Sequence, residues 1–261
     1  MLGIKKHITN FRKYSYLLSV LVVHDIEKKY KGSILGILWS MLNPLLHMIV
    51  LTIVFSSLLQ RQIANFPLYI LTGRLVFGFI STCTSTAMKS IISASKLINK
   101  VYIPKYILVF SKVIAEFIFF LISMFNLVFV ILWSGASFSW HLVFLPLYLV
   151  LLLLFVLGVS LILATVTTFF RDIEHIYGVF ITMVMYLSAI FYPPEIVPAR
   201  FQFLLTFNPV FHFIQGFRQL IYYQMLPGWN NFLACLLVSL VFLALGMIVF
   251  ERYQDQFIFN L

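Results

Sequence analysis

DIEKKYKGSILGILWSMLNPLL, Asp25 to Leu46, places five charged residues in its first seven positions and then runs into an apolar stretch with no linker between. A charged handle is thereby welded to an element that must leave water. Gly32 and Gly36 sit at the junction in small-x-x-x-small spacing, which predicts close helix approach there.

The rest of the chain extends the same contrast. Its 261 residues are 62% hydrophobic and 10% charged, with a mean hydropathy of +1.03. Soluble domains carry roughly a quarter of their residues as charges, so this is a polytopic membrane protein. The net charge of +10 does not point to nucleic acid, because the basic residues flank apolar segments and do not form one face of a domain. Cys83 and Cys235 both fall inside apolar runs and read as small packing residues.

Lys5, Lys6, Arg12 and Lys13 followed by apolar Tyr16 to Val23 imitate a signal peptide, but His24, Asp25 and Glu27 stand where a cleavage site would be. A run this short cannot cross a core that needs about 20 helical residues. It is expected to lie along the interface with Phe11, Tyr14, Leu17, Leu18 and Leu21 on its buried face.

Runs long enough to span occur at 34–59, 68–92, 106–133, 142–169, 176–191 and 232–250. Twelve of the eighteen Lys and Arg precede the first run or surround the turn between the second and third, and the loop from Ser134 to His141 has none. By the positive-inside rule both termini are cytoplasmic. The expected fold is therefore all-α: six transmembrane helices per subunit behind an amphipathic N-terminal segment. Between the fifth and sixth runs, Pro193, Pro194, Pro198, Pro209 and Pro227 cut 193–230 into two pieces, Phe201 to Phe207 and Val210 to Gln224, each too short to cross. They read as a re-entrant helix pair dipping from the outer face, or as a loop flat on the outer leaflet anchored by Tyr222, Tyr223 and Trp229.

Chemistry inside the subunit lacks the residues for it. The sequence has no phosphate loop, no H-E-x-x-H, no metal-spaced cluster among its six histidines and no acid/base constellation for a glycosyl or acyl transferase. Energy must come from another polypeptide or from an ion gradient. An ion-coupled carrier shows acidic relays within its spans, yet Glu116 is the one carboxylate well inside a run, and Lys112 four residues before it predicts an i,i+4 pair. The cytoplasmic turn Ala94 to Tyr106 reads as a short amphipathic piece stopped by Pro104, and Phe169 to Ile176 as a tight turn in which Arg171 and Asp172 cap helix ends.

YKGSILGILWSMLNPLL from Tyr30 to Leu46, FFRDI from Phe169 to Ile173, and the ordered Tyr192-Pro193, Asn208-Pro209 and Arg218 are spread along most of the chain. In order and spacing they resemble the membrane subunits of type-two ABC exporters that move O-antigen, teichoic acid, capsule or related polysaccharides, the Wzm-type permeases. One feature departs from that pattern: where such permeases often carry Pro-Trp, this chain reads Gly73-Arg74-Leu75-Val76-Phe77. Arg74 either lines the outer mouth beside the sugar path or snorkels to headgroups.

The resemblance implies two permease copies in the bacterial inner membrane, each docking a separate ATP-binding subunit that holds ATP and Mg; this chain would bind no cofactor. Residues 1–33 would be the cytoplasmic interface helix and 94–106 the coupling helix. The docking residues would be Asp25, Glu27, Lys28, Lys29, Lys96, Leu97, Ile98, Lys100, Ile103, Lys105, Arg171 and Asp172. The candidates for a lipid-linked polysaccharide's path are Trp39, Phe55, Arg74, Phe77, Tyr177, Phe180, Tyr186, Phe191, Tyr192 and Arg218. Lys28 and Lys31 at the entrance, with Arg218, would meet a lipid-linked pyrophosphate. Within ABC export, a small molecule or drug is the rival cargo; an ion-coupled carrier is the rival mechanism.

Overall fold

The computed structural model of the chain describes residues 14–59, 63–98, 100, 103–135 and 137–260. Helix α1 (Ser15–Tyr30) leads through a turn to α2 (Leu38–Leu59) and α3 (Phe66–Met88). Two single turns, α4 (Ser90–Ser93) and α5 (Ser95–Ile98), precede the long α6 (Lys105–Trp133). A 3-10 turn at Trp140–Phe144 opens α7 (Leu145–Phe169), and α8 (Ile173–Tyr186) follows. Short pieces then lead through α9 (Gln202–Thr206) to α10 (Pro209–Ile221), α11 (Trp229–Tyr253) and the terminal turn α12 (Phe257–Asn260). Among the described residues there is no strand.

Among the described residues five segments are long and apolar enough to cross a bilayer: Leu38–Phe55 in α2, then Phe66–Met88, Lys105–Trp133, Trp140–Phe169 and Trp229–Gln256. The run expected at 176–191 is shorter than it reads. Its helix has 14 residues and rises about 21 Å, below the roughly 30 Å of a hydrocarbon core. It stops because Ala189 takes a left-handed φ of 49°, where the chain turns before Pro193 and Pro194.

The core forms around α3, which is buried along most of its length and contacts α2, α6, α7, α8 and α10. Gly158 on α7 and Gly246 on α11 meet at their crossing, where a Cβ on either would collide with backbone of the other helix. Small residues let two backbones approach where lipid offers no hydrophobic drive. Much of α2 and α11 presents apolar side chains outward, among them Val50, Ile53, Leu237 and Ile248.

Several local expectations are corrected. Gly32 and Gly36 do not mediate helix contact: their φ values are 79° and 50°, and nothing lies within 4 Å of a Cβ built on either. They serve the turn, a conformation glycine reaches without steric cost. Pro104 does not end an amphipathic helix but caps the start of α6. Among the described residues of 94–104 the helical part is the single turn Ser95–Ile98, and α6 has begun by Lys105. On α1 the buried residues are Leu18 and Val22, set against Ile107 and Ala115, with Tyr14 and Leu21 at the margin; Phe11 lies outside the described residues.

Candidate functional site

Helix α1 lies lengthwise and parallel on the first half of α6. The register is fixed by side chains one turn apart on each helix. The Lys112 ammonium is paired with Asp25, whose second carboxylate oxygen accepts from Ser111 at 3.4 Å. One turn on, Lys29 Nζ donates to both oxygens of Glu116 at 2.8 and 2.7 Å and sits 4.3 Å over the Phe119 ring. Tyr30 closes the series edge-on to Phe119 at 5.2 Å. Burial, with the Glu116 carboxylate beside it, pushes the Tyr30 phenol above its ordinary pKa.

This arrangement replaces the expected Lys112–Glu116 pair, because each charge finds a closer partner on α1. Counting down from Trp133, about 30 Å of α6 ends near Val113. Lys112 therefore stands at the edge of the hydrocarbon core nearest the start of α6 and Glu116 one turn inside it, where an unpaired carboxylate is costly.

The upper end of this ladder opens into a cavity of about 410 Å³ bounded by α1, α2, α3 and α6. Asn43 and His47 line it from α2, Arg74, Gly78 and Thr82 from α3, and Lys29, Tyr30 and Glu116 from below. Its α2 wall contains Pro44, which has no N–H to give the Ser40 carbonyl. Ser123 Oγ donates to that carbonyl at 2.7 Å, and Asn126 Nδ2 donates to the next, Met41, at 2.9 Å. The proline is tolerated because α6 supplies the missing donors.

The opposite end of the bundle is built around Arg218, which is fully buried. Its guanidinium donates to the carbonyls of Ala189 and Ile190, both at 2.8 Å, and lies 3.5 Å from the Tyr69 ring centroid. Gly73 makes this possible, since a Cβ there would stand 2.9 Å from the guanidinium. The same turn is held by Asn208, donating to the Leu187 carbonyl and Ser188 Oγ, and by the Tyr69 hydroxyl donating to the Tyr192 carbonyl. The Tyr-Pro, Asn-Pro and Arg motif is thus one knot that ends α8. Arg218 is wholly enclosed, its unpartnered Nε included, and cannot meet a lipid-linked pyrophosphate, which corrects the expectation made for it.

The start of α6 and the ends of α7 and α11 converge through the C-terminal residues. Lys105 Nζ donates to the Gln254 carbonyl at 2.6 Å, and fully buried Phe257 stacks edge-on with Phe169 and Phe250. Beside this base Lys96, Leu97, Lys100, Phe170, Arg171 and Asp172 are exposed, whereas Ile98 is partly covered and Ile103 buried. Lys89 pairs with Glu174 across the end of α3 and the start of α8. Glu27, Lys28 and Lys31 are exposed on α1 and its following turn, while Asp25 and Lys29 are engaged by α6.

The aromatic candidates divide. Phe77 lies in the helix core, and Tyr177 is buried with its hydroxyl hydrogen-bonded to Thr84 at 2.6 Å; their packing accounts for both. Phe55 stacks on Phe191, and the Tyr192 hydroxyl donates to the Tyr186 carbonyl. Trp39, Phe180 and Tyr186 remain exposed. A groove missed by sequence reasoning runs along α8 between Glu174, His175, Gly178, Thr182 and Tyr186; its signal was the i,i+4 spacing of 174, 178, 182 and 186.

A family model described as ABC-2 type transporter matches residues 16–222. The chain is 29% identical over 248 residues to the O-antigen export system permease protein RfbA of Myxococcus xanthus, covering 94% of this chain and 95% of that protein. It is 27% identical over 247 residues to a protein of the same name from Klebsiella pneumoniae, covering 93% and 95%. It is 22% identical over 257 residues to the polysialic acid transport protein KpsM of Escherichia coli, covering 95% and 97%.

Proposed function

The chain belongs to the ABC-2 type transporter family, and from that premise we propose that it is the channel-forming permease subunit of an ATP-driven exporter of lipid-linked polysaccharide. Full-length likeness to O-antigen and polysialic acid export proteins supports the cargo class. The observation that carries the mechanism is the α1–α6 ladder: a helix linked to the first span by a glycine turn is clamped by charge at the inner boundary, beside a cavity that rises into the bundle.

In this reading α8 is a sixth, short span, α1 is the interface helix, and α9 with α10 form the re-entrant pair. Burial of Phe213, Ile214, Phe217 and Leu220 of α10 against its neighbours supports re-entry over a loop lying flat. The basic-residue distribution supports cytoplasmic termini. Two permease copies work with two ATP-binding subunits, which hold ATP and Mg and dock on the exposed turns at 95–100 and 170–172 and on Glu27 and Lys28. Sugar contacts fall first to Trp39, Phe180 and Tyr186, which remain exposed. Ion coupling loses its argument, since Glu116 is committed to Lys29.

Co-reconstitution with the partner ATPase in liposomes tests this reading. ATP-dependent movement of a lipid-linked glycan is expected, and scrambling 95–100 should abolish it while membrane insertion survives. Movement by the permease alone, with no nucleotide hydrolysed, would refute it.

A further inference from the structure

We infer that the cavity between α2 and α3 is a phosphoryl-binding site centred on Arg74. The inference rests on the export reading only for where the phosphoryl group comes from.

Charge accounting within the cavity leads there. Of the two cations that line it, Lys29 is neutralised by a two-oxygen contact with Glu116. Among the described residues, no carboxylate lies within ion-pair reach of Arg74; its guanidinium meets the Met185 sulfur at 4.0 Å. Arg74 stands two turns from the outer start of α3, so its charge lies at bilayer depth. A guanidinium at that depth is retained only where something compensates it. Arg218 differs: it gives both terminal nitrogens to backbone carbonyls and its face to Tyr69, with Nε sealed in the core, whereas Arg74 faces a cavity.

The remaining lining suits an anion with several acceptor oxygens. Asn43 and His47 are one turn apart on α2, and Tyr30 adds a hydroxyl. An arginine fork over neutral donors is the arrangement that binds phosphoryl oxygens in pairs. Gly78, one turn from Arg74, leaves room: nothing lies within 4 Å of a Cβ built there. At about 410 Å³ the cavity takes a diphosphate with part of an attached group. The phosphoryl group reaches it either on the cargo's lipid carrier or on a bilayer phospholipid.

The test uses the whole chain in phosphatidylcholine nanodiscs without any ATPase. Inorganic pyrophosphate is titrated calorimetrically against the wild type, R74Q, R74K and G78L, with melting curves run on each to verify folding. Binding should weaken at least about tenfold in R74Q, by loss of charge-assisted bonds, and in G78L, by filling the cavity without touching charge. R74K should retain part of the affinity. In a second arm, phosphatidic acid is added to the discs and counted by native mass spectrometry. Retention that depends on Arg74 assigns the site to a phospholipid, and its absence alongside pyrophosphate binding assigns it to the cargo; either supports the site. Wild type that binds neither probe, folded variants that bind pyrophosphate as wild type does, or malonate binding as well as pyrophosphate would each overturn the inference. Loss of export with this binding intact would instead count only against the export reading.

Discussion

Cutting the Lys29–Glu116 contact should release α1 from α6, and the size of the effect can be worked out. Two charge-assisted hydrogen bonds at 2.7 and 2.8 Å are worth about 1.5–3 kcal/mol each when fully buried. Glu116 retains 9% of its side-chain exposure but Lys29 retains 32%, so screening reduces this to about 1 kcal/mol each. The contact with the Phe119 ring at 4.3 Å adds about 0.5 kcal/mol. The two hydrogen bonds give a coupling energy near 2 kcal/mol, roughly a 30-fold change in the docking equilibrium, and the ring contact brings the total loss on removing Lys29 to about 2.5 kcal/mol. The single changes should be unequal. K29M strands a carboxylate inside the bundle and should cost about 3 kcal/mol; E116Q leaves an ammonium whose stem can carry it to the interface and should cost about half that. Amide hydrogen exchange in nanodiscs reads this directly, because a 16-residue helix freed from its neighbour is not stable by itself. Protection over 18–30 is measured for both single variants and the double. A coupling below about 0.5 kcal/mol, or E116Q costing more than K29M, would refute the assignment.

Other expected outcomes follow from the same contacts. S123A should lower stability by about 1 kcal/mol by leaving the Ser40 carbonyl without its donor, and P44A should suppress that loss by restoring a backbone N–H; melting of both variants and the double checks the pair. G158V should abolish recovery of folded protein because its side chain meets the α11 backbone, while G178A, with open space around it, should cost less than about 1 kcal/mol; size-exclusion profiles after purification separate them. R218Q should cost about 3 kcal/mol and raise exchange selectively at 187–192, and R218K should not rescue it because an ammonium cannot reproduce the fork to two carbonyls.

Composition, apolar run length and the distribution of Lys and Arg were enough to read a helical membrane protein, to find the segments that form α2, α3, α6, α7 and α11, and, with the motifs, to see the likeness to polysaccharide permeases. These follow from local chemistry: a bilayer demands about twenty apolar residues and satisfied backbone wherever it is crossed. The partners of the charges were not legible, because pairing depends on which helices meet. Glu116 reads as the neighbour of Lys112 four residues away, but folding sets it against Lys29, 87 positions distant. Arg218 looks like a cation for phosphate until Gly73 and Tyr69 of another helix enclose it. Only the tertiary structure decided that Arg218 is internal scaffolding and that Arg74 faces a cavity, since the desolvation that separates those roles is set by neighbours distant in sequence.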